Sequence, residues 1–470
     1  MATGPVSPTN SPDATIPVVG IGASAGGLEP LGELLAALPA RTGMAFLVVQ
    51  HLDPARVSLL AEILGKKTSM PVVEVKAGMS IAPDQVYIIA PNTLLSLSGD
   101  ALQLEPRAEG RHPSMPVDVL FHSLAKERGH NAIGVVLSGT GSDGSRGVQA
   151  IKAAGGITLA QEEATASFPG MPKSAIDTGC VDFVQTPREM GETLARIGRH
   201  PYVKTGAAEA GGEPAVQLVS AAPTEKASVA RLFRLLRASG GVDFTHYKRA
   251  TIDRRLARRM ALHHLEDLAA YVDLLQNDLA EQQSLAQDLL IVVSSFFRDP
   301  GSLEALARSA FPTMAQERSP KDPVRIWVPG CASGEEVYSI AISLLEFLGE
   351  RSTATPIQIF GTDVSEPAIE RARAGTYPES IAAEVTPERL RRFFLKLNGH
   401  YQIAKSIREM CVFARHDVTR DPPFSRLDLV SCCNLLIYLD QAMQRRVLSL
   451  FHYALKPRGF LMLGPSETVG

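Results

Sequence analysis

The chain is 470 residues long, 45% apolar and 21% charged, with a formal net charge of -3. That length calls for two or three separate cores, and so small a net charge gives no global basic excess of the kind that accompanies nucleic-acid binding. No apolar run reaches the roughly 18 to 20 residues of a membrane span, and the start of the chain lacks a basic region followed by an apolar centre. Five cysteines (Cys180, Cys331, Cys411, Cys432, Cys433) lack C-x-x-C spacing, so neither a disulfide framework nor a zinc site is indicated. The expectation is a cytoplasmic protein with reduced thiols and no direct membrane insertion.

Residues 1–15 are rich in Pro, Ser, Thr and Ala without periodicity, and are expected to form a disordered tail. Over residues 16–198 short apolar runs alternate with helical spacing, which predicts an α/β domain on a doubly wound, mostly parallel sheet. Its expected strands are Val18–Ile21, Phe46–Val49, Gln85–Ile89, Ile133–Leu137, Ile157–Ala160 and Val181–Val184, with a first helix from Leu28 to Leu38. Residues 199–226 carry several Pro and Gly among alanines and read as a linker. Over residues 227–311 strands disappear, and Leu232, Leu235 and Leu236, then Leu268, Tyr271, Val272 and Leu275, recur at helical spacing. This predicts a small all-helical domain. A second α/β unit of Rossmann-like type follows over residues 312–470, with strands at Arg325–Val328, Ile357–Gly361, Leu427–Ser431 and Phe460–Leu463.

The stretch Val18 to Leu28 reads Val-Val-Gly-Ile-Gly-Ala-Ser-Ala-Gly-Gly-Leu and places Ser24 at a strand-to-helix turn. There a hydroxyl is exposed at the carboxyl edge of a parallel sheet, beside backbone N–H groups that can hold an oxyanion. An N-cap serine on an ordinary turn is the competing reading. Two further apolar strands end in polar residues: Phe46 to Gln50 runs into His51, and Ile133 to Leu137 runs into Ser-Gly-Thr-Gly-Ser-Asp-Gly, which carries Asp143. Strand ends of one parallel sheet share an edge, so Ser24, His51 and Asp143 can converge as nucleophile, general base and orienting carboxylate. The chain order differs from that of α/β-hydrolases.

These residues, with Val-Gln-His-Leu, Arg111-His112-Pro113-Ser114, Pro116 to Phe121, Gly139 to Gly144 and Phe168-Pro169-Gly170-Met171-Pro172, resemble the catalytic domain of CheB, the chemoreceptor methylesterase. The resemblance implies that Ser24, His51 and Asp143 are the triad, and that the reaction is hydrolysis of glutamyl methyl esters, with glutamine deamidation as a second outlet. It places the oxyanion on the backbone N–H groups of Ala25 and Thr140. The family's phosphorylated receiver domain has no counterpart in the short N-terminal tail, so control by phosphorylation in cis is not expected.

In the second α/β unit the strand Arg325–Val328 runs into Pro-Gly-Cys-Ala-Ser-Gly-Glu-Glu and then a helix over Val337 to Leu345. The loop is neither a P-loop nor G-x-G-x-x-G, which favours a nucleoside without phosphates. Asp363 ends the next strand, where an acid can accept from ribose hydroxyls or cap the following helix. Gly-Cys-Ala-Ser-Gly-Glu-Glu-Val-Tyr-Ser-Ile-Ala, Ser295-Phe296-Phe297-Arg298-Asp299, Gly361-Thr362-Asp363 and Asn434-Leu435-Leu436-Ile437-Tyr438 resemble CheR, the chemoreceptor methyltransferase, over about Val229 to Gly470. The resemblance implies S-adenosyl-L-methionine as methyl donor, contacted by Ser294, Arg298, Glu335, Asp363, Asn434 and Leu435, with Asp417 a further candidate near the adenine. Val292 and Cys433 stand where the family commonly has Asn and Arg. A methyltransferase of this fold usually adds two more strands, so a truncated C-terminus is expected.

Lys248, Arg249, Arg254, Arg255, Arg258 and Arg259 put i, i+4 basic pairs on one helix, either a solvated face or, beside a CheR-like site, a surface for an acidic receptor helix. The reading that unites these features is a bifunctional enzyme. It hydrolyses glutamate methyl esters and forms them on the cytoplasmic helices of chemoreceptors or related signalling proteins, feeding a histidine kinase pathway and engaging no nucleic acid. The alternatives are a signalling scaffold with one or both sites inactive, and a methyltransferase with another substrate.

Overall fold

The computed structural model describes residues 15–50, 59–107, 115–204, 223–290, 294–315, 322–350, 355–397 and 399–469. His51, the Arg111–Ser114 motif, Val292 and most of the expected tail and linker lie outside the described residues. The chain divides into two compact units, Met1–Lys226 with Asp253–Asp273, and Ala227–Ile252 with Leu274–Gly470.

The first unit is built on a seven-stranded parallel sheet. Its strands are β1 (Val18–Ala23), β2 (Ala45–Gln50), β3 (Val72–Glu74), β4 (Gln85–Ile88), β7 (Ala132–Val136), β8 (Ile157–Gln161) and β9 (Phe183–Gln185), in the order β3-β4-β2-β1-β7-β8-β9. Apolar side chains alternate between its faces, as a sheet covered on both sides requires. Val19, Ile21, Phe46 and Val48 pack with Leu31, Leu34 and Leu35 of the helix Leu28–Ala37. Val18, Leu47 and Val49 pack with Val117, Leu120, Phe121 and Leu124 of the helix Pro116–Arg128. Glycine at positions 20 and 22 makes the second contact possible. A Cβ on Gly20 would lie 2.7 Å from Leu124 and one on Gly22 2.3 Å from Val117, so this helix rests directly on the backbone of β1. A hairpin of β5 (Thr93–Ser98) and β6 (Ala101–Pro106) is an addition to the expected elements.

Two expectations change here. Part of the span read as linker is built into the first unit: Pro201–Lys204 is helical, Tyr202 and Val203 are buried, and the Tyr202 hydroxyl donates to Gly155 O at 2.7 Å. Two members of the basic face are not solvated either. In the helix Arg249–Leu262, Arg255 and Arg258 are 2% and 0% exposed. Arg255 donates to Lys152 O and Ala153 O, both at 2.7 Å, where the helix Ser145–Ala153 ends and its carbonyls lack helical partners. Arg258 donates to Gly156 O at 2.9 Å and pairs with the buried carboxylate of Asp182. A charge count does not separate a wet guanidinium from one that matches a ring of carbonyls and a buried acid.

The second unit carries a five-stranded parallel sheet of β10 (Val324–Pro329), β11 (Ile357–Asp363), β15 (Cys411–Arg415), β16 (Leu427–Cys432) and β17 (Leu455–Leu463), in the order β15-β11-β10-β16-β17. The order reverses between β10 and β16, which opens a crevice at their carboxyl ends. A small antiparallel sheet, β12 (Thr376–Pro378), β13 (Phe394–Leu397) and β14 (His400–Ile403), is inserted after β11. Among the described residues no helix is long and apolar enough to cross a membrane.

Candidate functional sites

At the first site, the parallel register sets Ala23 of β1 beside Gln50 of β2 and Gly22 beside Val136 of β7. The strands β1, β2 and β7 therefore end side by side, at Ala23, Gln50 and Val136, along one edge of the sheet. Ser24 N donates to Ser138 O at 3.0 Å, and Leu137 N to Gly22 O at 2.9 Å. The N-cap of the following helix is Gly27, with no side-chain cap, so Ser24 is not the capping residue. It is 8% exposed, while Ala25 and Thr140 are exposed at the rim. A Cβ on Gly139 would lie 2.8 Å from the Ser24 Cβ and 2.1 Å from Met171 Sδ. Bare backbone therefore presses on the serine from this side. Ser138, which sequence reasoning passed over, is fully buried and joins three loops: its hydroxyl donates to Ala25 O and accepts from Phe168 N, each at 3.0 Å, and its N–H donates to Gln161 Oε1 at 2.8 Å.

Asp143 is buried, and its carboxylate accepts from Val117 N at 3.0 Å and Asp118 N at 2.9 Å. Those N–H groups open the helix Pro116–Arg128, where they have no intrahelical partner. Asp118 is the second residue that the sequence did not single out. Burial, then the charge of Asp143, pushes its carboxyl up to about 7. Its Oδ1 accepts from Gly147 N at 2.7 Å, while its Oδ2 is buried with no hydrogen-bond partner among the described residues. Asp118 is thus able to hold a proton near neutrality beside Asp143.

At the second site, β10 ends in a loop held open by left-handed backbone at Gly330 (φ 70°), Ala332 (φ 48°) and Gly334 (φ 93°). Gly334 is the N-cap of the helix Glu335–Leu348. Asp363 ties this loop to the end of β11: its Oδ2 accepts from Ala332 N and its Oδ1 from Ser365 N, both at 2.9 Å. The cap of the next helix is Ser365, so the capping reading for Asp363 falls away. Burial raises the carboxyls of Asp363 and Glu335 above the usual range.

The structure brings the expected residues together in pairs. Ser294 hydrogen-bonds Glu335, which also accepts from Ser333 Oγ at 2.9 Å. Arg298 acts electrostatically on Glu336, whose carboxyl burial pushes up to about 7 and whose side chain bonds the Ser431 hydroxyl. Leu435 packs over the first loop, 3.3 Å from where a Gly330 Cβ would stand. Asn434 has left-handed backbone (φ 58°). Tyr247 was not foreseen: its phenol is raised by burial and then by the charges of Asp417 and Asp363, which places it among the same acids. Three thiols line these loops, and burial raises Cys331, Cys432 and Cys433, with Glu336 adding to each.

Glu335, Glu336 and Asp363 make this crevice acidic, which repels phosphate and suits a nucleoside carrying ammonium and sulfonium cations.

Comparison with known proteins assigns both units. Residues 19–194 match the CheB methylesterase family, 227–290 the all-alpha domain of CheR methyltransferase, and 292–470 the CheR SAM binding domain. A 104.1 kDa protein of Rhodobacter capsulatus is 40% identical over 423 residues, covering 87% of this chain and 44% of that protein. A chemotaxis protein methyltransferase of Klebsiella aerogenes is 30% identical over 272 residues, 56% of this chain and 90% of the relative. A protein-glutamate methylesterase/protein-glutamine glutaminase of Escherichia coli is 40% identical over 191 residues, 38% of this chain and 53% of the relative. The chain thus spans less than half of the Rhodobacter protein and about half of the Escherichia one. It belongs to the CheR methyltransferase family through residues 227–470, and its first α/β domain matches the CheB methylesterase family.

Proposed function

We propose that this chain both removes and adds methyl groups on glutamate side chains of chemoreceptors or related signalling proteins, acting in the cytoplasm. The observation that supports the first activity is the register of β2, β1 and β7, whose ends at Gln50, Ala23 and Val136 share one sheet edge. Ser24 Oγ attacks the ester carbonyl carbon and gives its proton to His51. Asp143, held by two helix N–H groups, orients and balances the imidazolium. The amides of Ala25 and Thr140 face the oxyanion. Methanol leaves with the proton, and water then releases the glutamate from Ser24. With a glutamine the leaving group is ammonia, the outlet implied by the double name of the Escherichia coli relative.

For the second activity, S-adenosylmethionine supplies a methyl group on a sulfonium when bound. Asp363 would accept from the ribose hydroxyls, and Glu335 with Ser294 would meet the amino end. Arg298 would meet the carboxylate, and Asn434 and Leu435 would wall the adenosine. The substrate carboxylate is already a nucleophile at neutral pH, so this chain's residues need only orient it and exclude water.

The test is the intact mass of a receptor cytoplasmic fragment incubated with S-adenosylmethionine and this chain, wild type beside Ser24→Ala and Asp363→Ala. Methylation that rises in Ser24→Ala and vanishes in Asp363→Ala is the expected result. No mass change with any variant, although S-adenosylhomocysteine binds, would favour a scaffold or another substrate.

A further inference from the structure

Glu467 lies just beyond β17, outside every motif singled out above, and its carboxylate gathers four backbone N–H groups. Oε2 accepts from Asn434 N at 3.0 Å and Gly464 N at 2.9 Å; Oε1 accepts from Leu435 N at 2.9 Å and Leu436 N at 2.7 Å. Successive N–H groups that converge on one point form an anion-binding concavity, and here the anion is a side chain of the same chain. Gly464 is required for its approach, since a Cβ there would lie 2.8 Å from Glu467 Oε2. The loop so gripped is the one after β16, where Asn434 adopts φ 58° and Leu435 packs over the Gly330 turn.

We propose that Glu467 is a positioning residue for the methyl-donor site. Its carboxylate fixes the backbone of 434–436, and through Leu435 the Gly330 turn, in the shape that receives the nucleoside. This rests on the reading that the second unit binds S-adenosylmethionine. A carboxylate that shapes a binding loop acts on ground and transition states alike, so its loss weakens donor binding and leaves the bound-state rate nearly unchanged.

The experiment measures S-adenosylhomocysteine Kd by calorimetry, and kcat and KM for S-adenosylmethionine, on the full chain. Glu467→Ala is compared with Glu467→Gln, Gly464→Ala and Thr386→Ala. The last removes the cap of the helix Pro387–Phe393 and touches none of these groups. The expected result is a Kd and KM at least tenfold higher in Glu467→Ala and Gly464→Ala, with kcat within about threefold. Glu467→Gln should recover part of the loss, because one acceptor oxygen remains. Thr386→Ala should leave Kd unchanged however much it lowers the unfolding temperature, and ester hydrolysis by the same samples reports the first unit. If Glu467→Ala does not fold, Glu467→Gln and Gly464→Ala carry the measurement. Wild-type binding with a Kd within twofold in the folded variants would overturn the proposal alone. Failure of the wild type to bind either nucleoside would overturn the methyl-donor reading, and this proposal with it.

Discussion

The two sites use buried carboxylates in opposite ways. In the first, Asp143 is fixed by the start of one helix, and its neighbour Asp118 can take up a proton. In the second, Asp363 and Glu467 bond mainly to loop backbone. An acid serving proton transfer has to hold its charge beside a base, whereas an acid shaping a pocket has to hold the chain. The difference predicts that variants of the first site change the rate of chemistry and variants of the second change affinity.

The largest expected effect is at the nucleophile. Ser24→Ala should lower ester hydrolysis by at least about 10⁴-fold while S-adenosylhomocysteine affinity stays put; methanol release and calorimetry on one preparation check both. A parallel loss of binding would erase the proposed independence of the two sites. Next comes the buried pair beneath the helix Arg249–Leu262. Arg258→Ala leaves Asp182 without its guanidinium and should destabilise the first unit by about 3–5 kcal/mol, read from the denaturant midpoint of ester hydrolysis. An unchanged midpoint would mean that the arginine is better hydrated than its burial indicates. At the second site, Asp363→Ala should weaken S-adenosylhomocysteine binding by about 10–100-fold, the size of one or two hydrogen bonds to a charged group.

The smallest expected effect is a pH dependence. The folded-state value of Asp118, about 7, lies above that of an unfolded aspartate. Its contribution to stability is therefore complete below about pH 4 and is lost as pH rises toward 7 and beyond. Asp118→Asn, which stays neutral, should flatten the fall in stability between pH 5 and 8 by on the order of 1–3 kcal/mol. An identical fall in both proteins, followed by urea titration, would locate the proton elsewhere.

Much of the first site was legible because strand periodicity and parallel topology are written locally. Val18 to Ala23 and Ile133 to Leu137 announce strands, and parallel strands bring their ends together. Asp118 was not legible, since its character comes from a neighbour 25 residues away. The hairpin β5–β6 did leave a signal: Leu95, Leu97 and Leu102 are buried at alternating positions around a Gly-Asp turn at 99–100. Arg255 and Arg258 were misread for a different reason, because helical spacing identifies a shared face but says nothing of what covers it. Glu467 gave no signal, because four donors from two separate loops define its role.

The three thiols among the second site's loops bear on chemoselectivity. Toward an electrophilic methyl group a thiolate is a far better nucleophile than a carboxylate, and the thiolate is the reactive form. Burial and the charge of Glu336 hold Cys331, Cys432 and Cys433 protonated. On the proposed function, the acids that suit the crevice to a cationic donor would also silence the nearby sulfur, so that an incoming carboxylate, not the protein's own thiols, would take the methyl group.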